Sequence, residues 1–279
     1  MENLWNYTQN KADELAFKFF ESVRFIVQAL FLAYLSFRNF VLLFTNPIEN
    51  KGKITIIFKT IVMQIYFTGN QSFRLVSFIA IITGSLAVLP VSTGLSLLGQ
   101  AELVGRILIA VILREIAPLF TAFIVIARSG TAIASELGNM QVNKEIGSLK
   151  AMGIDFPSMV IFPRIFSGII SLFCLNFIFT IMSFGGGYFI SNIIHPFPFN
   201  NYLYSLANNL TPVDILTTTL KCIGSAFFIF ILSSSWGLSV KKSSHEVPQV
   251  TSTAVVWCLA TVMIWNLMMS LISYIRVIL

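Results

Sequence analysis

Apolar residues in this chain gather into long unbroken runs, not into one face of a repeating pattern. Five stand out, at residues 73–98, 104–127, 162–190, 213–238 and 253–274. Each is long enough to cross about 30 Å of hydrocarbon as a helix. Backbone groups in lipid must pair within their own segment, so such runs read as helices. The pattern predicts an all-α, polytopic membrane protein with five transmembrane helices. Ahead of them, Glu14, Lys18, Glu21, Arg24 and Gln28 recur at helical spacing, with Phe17, Phe20, Ile26 and Leu30 largely off that stripe. A helix lying in the membrane interface has this character. The run 25–44 is interrupted only by Gln28, Ser36, Arg38 and Asn39, which leaves a sixth span open beside the preferred interfacial reading. Asn46, Pro47, Asn50, Lys51 and Gly52 then break the helix. A short stretch at 54–67, carrying Lys59 and Gln64, could also lie flat. The chain thus divides into an N-terminal interfacial part, 1–71, and a spanning domain, 72–279.

Composition agrees. Hydrophobic residues make up 56% and charged residues 11%, against about 25% charged in soluble domains. The net charge of +6 comes from basic residues at the ends of apolar runs. That suits anionic headgroups and a topology signal, not nucleic acid. With five spans, one side receives residues 1–74, 128–164 and 239–252, which hold 14 of the 18 Lys and Arg. The positive-inside rule makes that side cytoplasmic and the C-terminus external. The polar first 13 residues do not resemble a signal peptide, and the acids at Glu2, Asp13, Glu14 and Glu21 argue against a transit peptide. Cys174, Cys222 and Cys258 lie within apolar runs without metal-type spacing and read as small buried residues. His195 and His245 fall in predicted loops with no second ligand at helical spacing, so no metal site is expected.

The segment after the second span is the most informative. Gly130, Ala134 and Gly138 are four apart and share a helical face. Small residues so spaced let helices approach closely, and ordinary packing accounts for them. Asn143 is placed as an N-cap with Glu145 in the first turn. Ile146, Leu149 and Met152 then share a face, and Gly153 offers a stop. Beyond it, Asp155 can cap the next helix, with Pro157 in its first turn. This predicts a two-to-three-turn amphipathic helix in a cytoplasmic loop. It can lie on the membrane or dock in a partner's groove, and periodicity leaves both open.

Arg114 and Glu115 sit at the centre of the second span. A charge there costs several kcal/mol unless it faces protein, water or a polar ligand. Pro118 has no N–H for the carbonyl near Arg114, which adds polarity at the same depth. Two readings follow: a cavity lining that meets a lipid headgroup, or ion pairs buried between helices. Glu102 and Arg106, spaced by four near the outer end, read as a salt bridge. The sequence has no G-x-x-x-x-G-K-[ST] phosphate loop and no G-x-S-x-G elbow, so ATP hydrolysis by that route is not expected of this chain.

The block ILREIAPLFTAFIVIARSGTAIASELGNMQVNKEIGSLKAMGIDFPSMVIFPRIFSGIIS, beginning at Ile112, closely resembles the MlaE permease family, also called YrbE or Mce-associated permeases. QIYFTG at 64–69 and the pattern from Lys221 and Cys222 to Gly237 are similar as well. The resemblance implies a non-catalytic permease subunit of an ABC transporter that moves phospholipids or related lipids between membranes. It implies an interfacial helix before five spans, a second copy of the chain, separate ATPase subunits holding ATP and magnesium, and a Mce-domain lipid-binding protein outside. No cofactor is implied in the chain itself. Leu113, Arg114 and Glu115 would line the lipid-accessible cavity. The ATPase would dock on Ser135, Glu136, Leu137, Gly138 and a coupling helix bearing Ile146, Leu149 and Met152. A bacterial inner membrane, or a plastid membrane of bacterial descent, is the implied location. Departures are Ile116 and Ala117 where the family usually has Gly after Arg-Glu-Leu, Ala127 before Arg128 where it often has Gly, and Cys222 where it often has Ser; none removes a charge. The rivals are a self-sufficient secondary transporter or channel, for which no internal repeat is evident, and an intramembrane lipid enzyme, for which no convergent catalytic cluster is evident.

Overall fold

The computed structural model of the chain describes residues 27–38, 41, 51–97, 101–194, 196, 198–241 and 243–278. Among these, every regular element is helical. We number them α1 (Val27–Arg38), α2 (Lys51–Leu97), α3 (101–142), α4 (Glu145–Ala151), α5 (Pro157–Ile194), α6 (Phe199–Asn209), α7 (Pro212–Leu238) and α8 (Glu246–Ile278). Five of them, α2, α3, α5, α7 and α8, are long and apolar enough to cross a membrane. The chain is a multi-pass membrane protein. The α4 turn lies at one end of the bundle and α6 at the other.

The stretch at 54–67 and the span at 73–98 prove to be one helix. α2 runs unbroken for 47 residues, about 70 Å at 1.5 Å per residue. A Gly at position 69 costs only about 1 kcal/mol in a helix, and packing outweighs it: Thr68 and Ser72 are buried, and α2 lies along α5. The two helices meet at Gly84, where a Cβ would stand 2.1 Å from the Ser183 carbonyl oxygen. Further along, the Ser92 and Ser191 hydroxyls are 3.0 Å apart.

α1 buries Ala29, Ala33 and Ser36, one face at spacings of four and three, and exposes Val27, Phe31, Tyr34 and Phe37. It shares a cleft with Ser235 and Leu238 at the end of α7, and the Phe37 ring is 6.4 Å from Phe162 near the start of α5. Both neighbours belong to the α4 end of the bundle. The polar stripe at Glu14, Lys18, Glu21 and Arg24 lies outside the described residues, as do His195 and the side chain of Glu102.

The Gly130, Ala134 and Gly138 face packs as expected. A Cβ on Gly237 of α7 would sit 2.7 Å from the Ala134 carbonyl oxygen, and one on Gly138 would meet Val240 and Val247 at 3.2–3.4 Å. Several local expectations are corrected. Lys144, not Asn143, stands before α4; it adopts a left-handed φ of 58°, while Asn143 closes α3 and donates its side-chain N–H to Glu145 Oε1 at 3.1 Å. Cys222 and Cys258 are buried, but Cys174 is exposed on α5. The segment between the third and fourth spans, read as a loop, contains α6. His245 is exposed in the turn before α8, and no metal-binding cluster occurs among the described residues.

Candidate functional site

α3 is not uniform. Residues Ile109–Ile116 and Ile126–Gly130 are wound as π-helix, and both stretches carry charge, Arg114 and Glu115 in the first and Arg128 in the second. The first lies just before Pro118. In α-helical register the Arg114 carbonyl would receive the N–H of residue 118; in π-helical register the Leu113 carbonyl would. Proline has no N–H for either. α7 places a donor on each of the two carbonyls. The Thr218 hydroxyl donates to the Leu113 carbonyl at 3.2 Å, and Lys221 Nζ donates to the Arg114 carbonyl at 2.6 Å.

Lys221 is 1% exposed, and its three N–H bonds are all used. Besides the carbonyl, they reach Glu115 Oε1 at 3.1 Å and Ser270 Oγ at 2.8 Å. The Ser270 hydroxyl in turn lies 2.9 Å from both Glu115 oxygens and from the Asn266 carbonyl, and its single proton serves one of them at a time. Trp265 Nε1 donates to the Lys221 carbonyl at 3.3 Å. Arg114 turns the other way along α3. Its Nε lies 2.5 Å from Asp214 Oδ1, an ion pair whose N–H is not aligned for a hydrogen bond. Asp214 is 1% exposed and its other oxygen accepts the Thr211 N–H and hydroxyl, completing a capping box at the start of α7. Two cations and two carboxylates therefore balance within one helix interface. Asp214, Thr218 and Lys221 sit at i, i+4 and i+7, one face of α7.

Arg114 and Glu115 are thus neighbours that do not pair with each other; each takes a partner on α7. Their side chains keep 20% and 33% exposure, and Leu113 is buried beside them. The four principal clefts of the single chain are lined elsewhere. Lys221 entered the sequence reading only as a residue kept from the family pattern, and Asp214, Thr218 and Ser270 not at all. The T-x-x-D start of α7 and the i, i+4, i+7 polar face were the signals available.

At the α4 end, the proposed docking residues split into two groups. Leu137, Gly138 and Ile146 are buried, and Leu149 packs against the main core. Met152 is 66% exposed. Ile146 and Leu149 anchor α4, which presents Lys144, Glu145, Ser148, Lys150 and Met152 outward. Gly153, at φ 72°, ends the helix, with its N–H on the Lys150 carbonyl at 3.0 Å and that of Ile154 on the Leu149 carbonyl at 3.0 Å. Beyond it, Phe156, not Asp155, stands at the cap of α5, with no side-chain cap bond; Asp155 accepts the Ser158 hydroxyl at 2.5 Å, and Pro157 falls in the first turn as expected. Glu136 has a structural partner: its Oε1 lies 2.7 Å from Arg164 Nη2, and Arg164 is 6% exposed against 55% for Glu136. Ser135, beside it, is half-buried.

Five long spans around a balanced charge cluster, with a short helix displayed at one end, define a polytopic membrane protein. A family model described as "Permease MlaE" matches residues 61–272. The chain belongs to the MlaE permease family. It is 28% identical over 199 residues to a probable ABC transporter permease protein of Rickettsia bellii, covering 71% of this chain and 77% of that one. Over 211 residues it is 26% identical to a probable ABC transporter permease protein of Synechocystis, covering 76% and 80%. The chloroplastic protein TRIGALACTOSYLDIACYLGLYCEROL 1 of Arabidopsis thaliana is 26% identical over 220 residues, covering 79% of this chain and 62% of that protein.

Proposed function

We propose that this ABC transporter permease moves phospholipids or related lipids between membranes, as a non-catalytic subunit driven by a separate ATPase. The observation that carries the reading is the division of labour along α3: a charge-balanced cluster within the membrane, continuous by one helix with a braced turn outside it. ATP-driven closure of an ATPase pair against α4 is transmitted through α3 to Arg114 and Glu115. The name of the Arabidopsis relative refers to a diacylglycerol lipid, which favours a lipid cargo. Leu113, Arg114 and Glu115 face a cavity that forms when a second copy joins, and their residual exposure is the part of the cluster such a cavity would reach. A Mce-domain protein receives or delivers lipid on the side away from α4. ATP and magnesium belong to the partner chain. The location is a bacterial inner membrane or a plastid membrane, with α4 cytoplasmic and the C-terminus external.

The experiment is reconstitution with the ATPase and the Mce-domain partner in vesicles, following transfer of a fluorescent phospholipid. ATP-dependent transfer that falls at least tenfold in the Arg114→Gln, Glu115→Gln variant supports the reading. Transfer unchanged in that variant removes the cavity role. Transport by the isolated chain on an ion gradient would favour a secondary transporter instead.

A further inference from the structure

At the end of the bundle away from α4, α6 is clamped onto α3. Gly105 has no side chain, and a Cβ there would stand 2.2 Å from the Ser205 carbonyl oxygen. Its N–H donates to Ser205 Oγ at 2.9 Å. Tyr202, one turn earlier, stacks on Tyr188 with ring centroids 5.1 Å apart and donates its hydroxyl to the Phe184 carbonyl at 3.1 Å. Burial pushes its phenol well above the usual range, so it stays a neutral donor. α6 is therefore fixed on its inner face.

Beside that clamp lies a cleft of about 450 Å³. Its walls are Arg106 and Leu103 from α3, and Asn201, Tyr204, Asn208 and Asn209 from α6. The α6 residues recur at i, i+3, i+7 and i+8, a single helical face. Asn209 already spends its amide on the Ser205 carbonyl at 2.8 Å. The remaining groups offer one guanidinium, two exposed amides and a phenol, with no carboxylate among the described lining residues. The exposed Leu103 gives the cleft an apolar wall. Arg106 precedes Arg114 by eight residues towards the α6 end, and Arg114's partner Asp214 already lies in the first turn of α7, so Arg106 stands at the outer end of the spans. A cation among neutral hydrogen-bonding groups, with an apolar wall at the end of the spans, suits a phosphodiester headgroup with its acyl chains alongside.

We propose that the cleft between the start of α3 and α6 is a binding site for the headgroup of a membrane phospholipid in the leaflet away from α4. Arg106 takes the phosphate, and Asn201, Asn208 and Tyr204 take the headgroup oxygens. The site stands apart from the transport reading, because a headgroup can bind here whether or not the chain moves it.

The test is native mass spectrometry of the full-length chain in detergent, loaded with phosphatidylglycerol or with diacylglycerol of the same acyl chains. The wild-type chain should retain phosphatidylglycerol about tenfold better, and Arg106→Gln should abolish that preference. Arg106→Lys should keep part of it, and Asn201→Ala with Asn208→Ala should weaken it several-fold. The altered residues are exposed, and an unchanged melting temperature in each variant confirms that the fold is intact. Equal retention of the two lipids, or a preference untouched by Arg106→Gln, overturns the site. Displacement by millimolar inorganic phosphate would show a free-anion site and overturn the lipid assignment. Glu102→Gln, which removes the carboxylate one turn before Arg106, should leave retention the same or raise it; a loss of retention overturns the site.

Discussion

The mid-membrane cluster and the Glu136–Arg164 pair are both salt bridges anchored on α3, yet they differ in how they hold their charges. In the cluster, Asp214 and Lys221 are each 1% exposed, and Lys221 spends every N–H on a named acceptor. At the α4 end only Arg164 is buried; Glu136 is half in solvent, and Arg164 Nη1 has no partner. Removing one member of a buried pair leaves a charge that water cannot reach. Removing the buried member of a half-exposed pair leaves one that it can. The cluster is therefore an interlock, whereas the α4-side pair is a brace with a solvent-facing handle.

The sharpest way to break this contrast is Lys221→Met. It leaves the Arg114 carbonyl without its donor and Glu115, one-third exposed, without its cation, so we expect a loss of about 1–3 kcal/mol, read as a lowered melting temperature in detergent. Adding Glu115→Gln should restore part of it; a double variant no better than the single one would mean the pair is not coupled. Next comes Gly237→Val. The Cβ alone would stand 2.7 Å from the Ala134 carbonyl oxygen, and we expect a loss of about 1–3 kcal/mol. The α4-side pair should then behave asymmetrically. Glu136→Gln, which strands buried Arg164, should cost about 1–3 kcal/mol, whereas Arg164→Met should cost under about 1 kcal/mol. Equal melting shifts for the two would contradict the brace. The smallest stability effect belongs to Met152→Glu, an exposed change expected within about 0.5 kcal/mol that nonetheless abolishes co-purification of the ATPase.

Much of this architecture was legible because the bilayer demands long apolar runs: five helices long and apolar enough to span occur among the described residues, the first of them also taking in the stretch at 54–67. Gly130, Ala134 and Gly138 announced their packing face, and Gly153 announced the end of α4. Other features depended on distant residues. Pro118 signalled a freed carbonyl, but no local pattern revealed that Thr218 and Lys221, roughly a hundred residues away, would supply the donors. No local pattern showed that Glu136 has a structural partner, because Arg164 belongs to the next span. α6 was missed because its anchors are polar contacts of Tyr202 and Ser205, not an apolar run. Asn143 was misplaced because the backbone reversal falls one residue later, on Lys144.

These contrasts meet in the claim that a separate motor grips α4 and works the chain through α3. Isolation of the full-length protein from its native membrane in gentle detergent, with mass spectrometry of what accompanies it, measures this most directly. The account predicts an ABC-type ATPase in stoichiometric amount with the wild-type chain and its loss from Met152→Glu, with the melting temperature unchanged. An ATPase retained equally by both would move the docking surface elsewhere. No ATPase with a wild-type chain that still transports lipid would contradict the account.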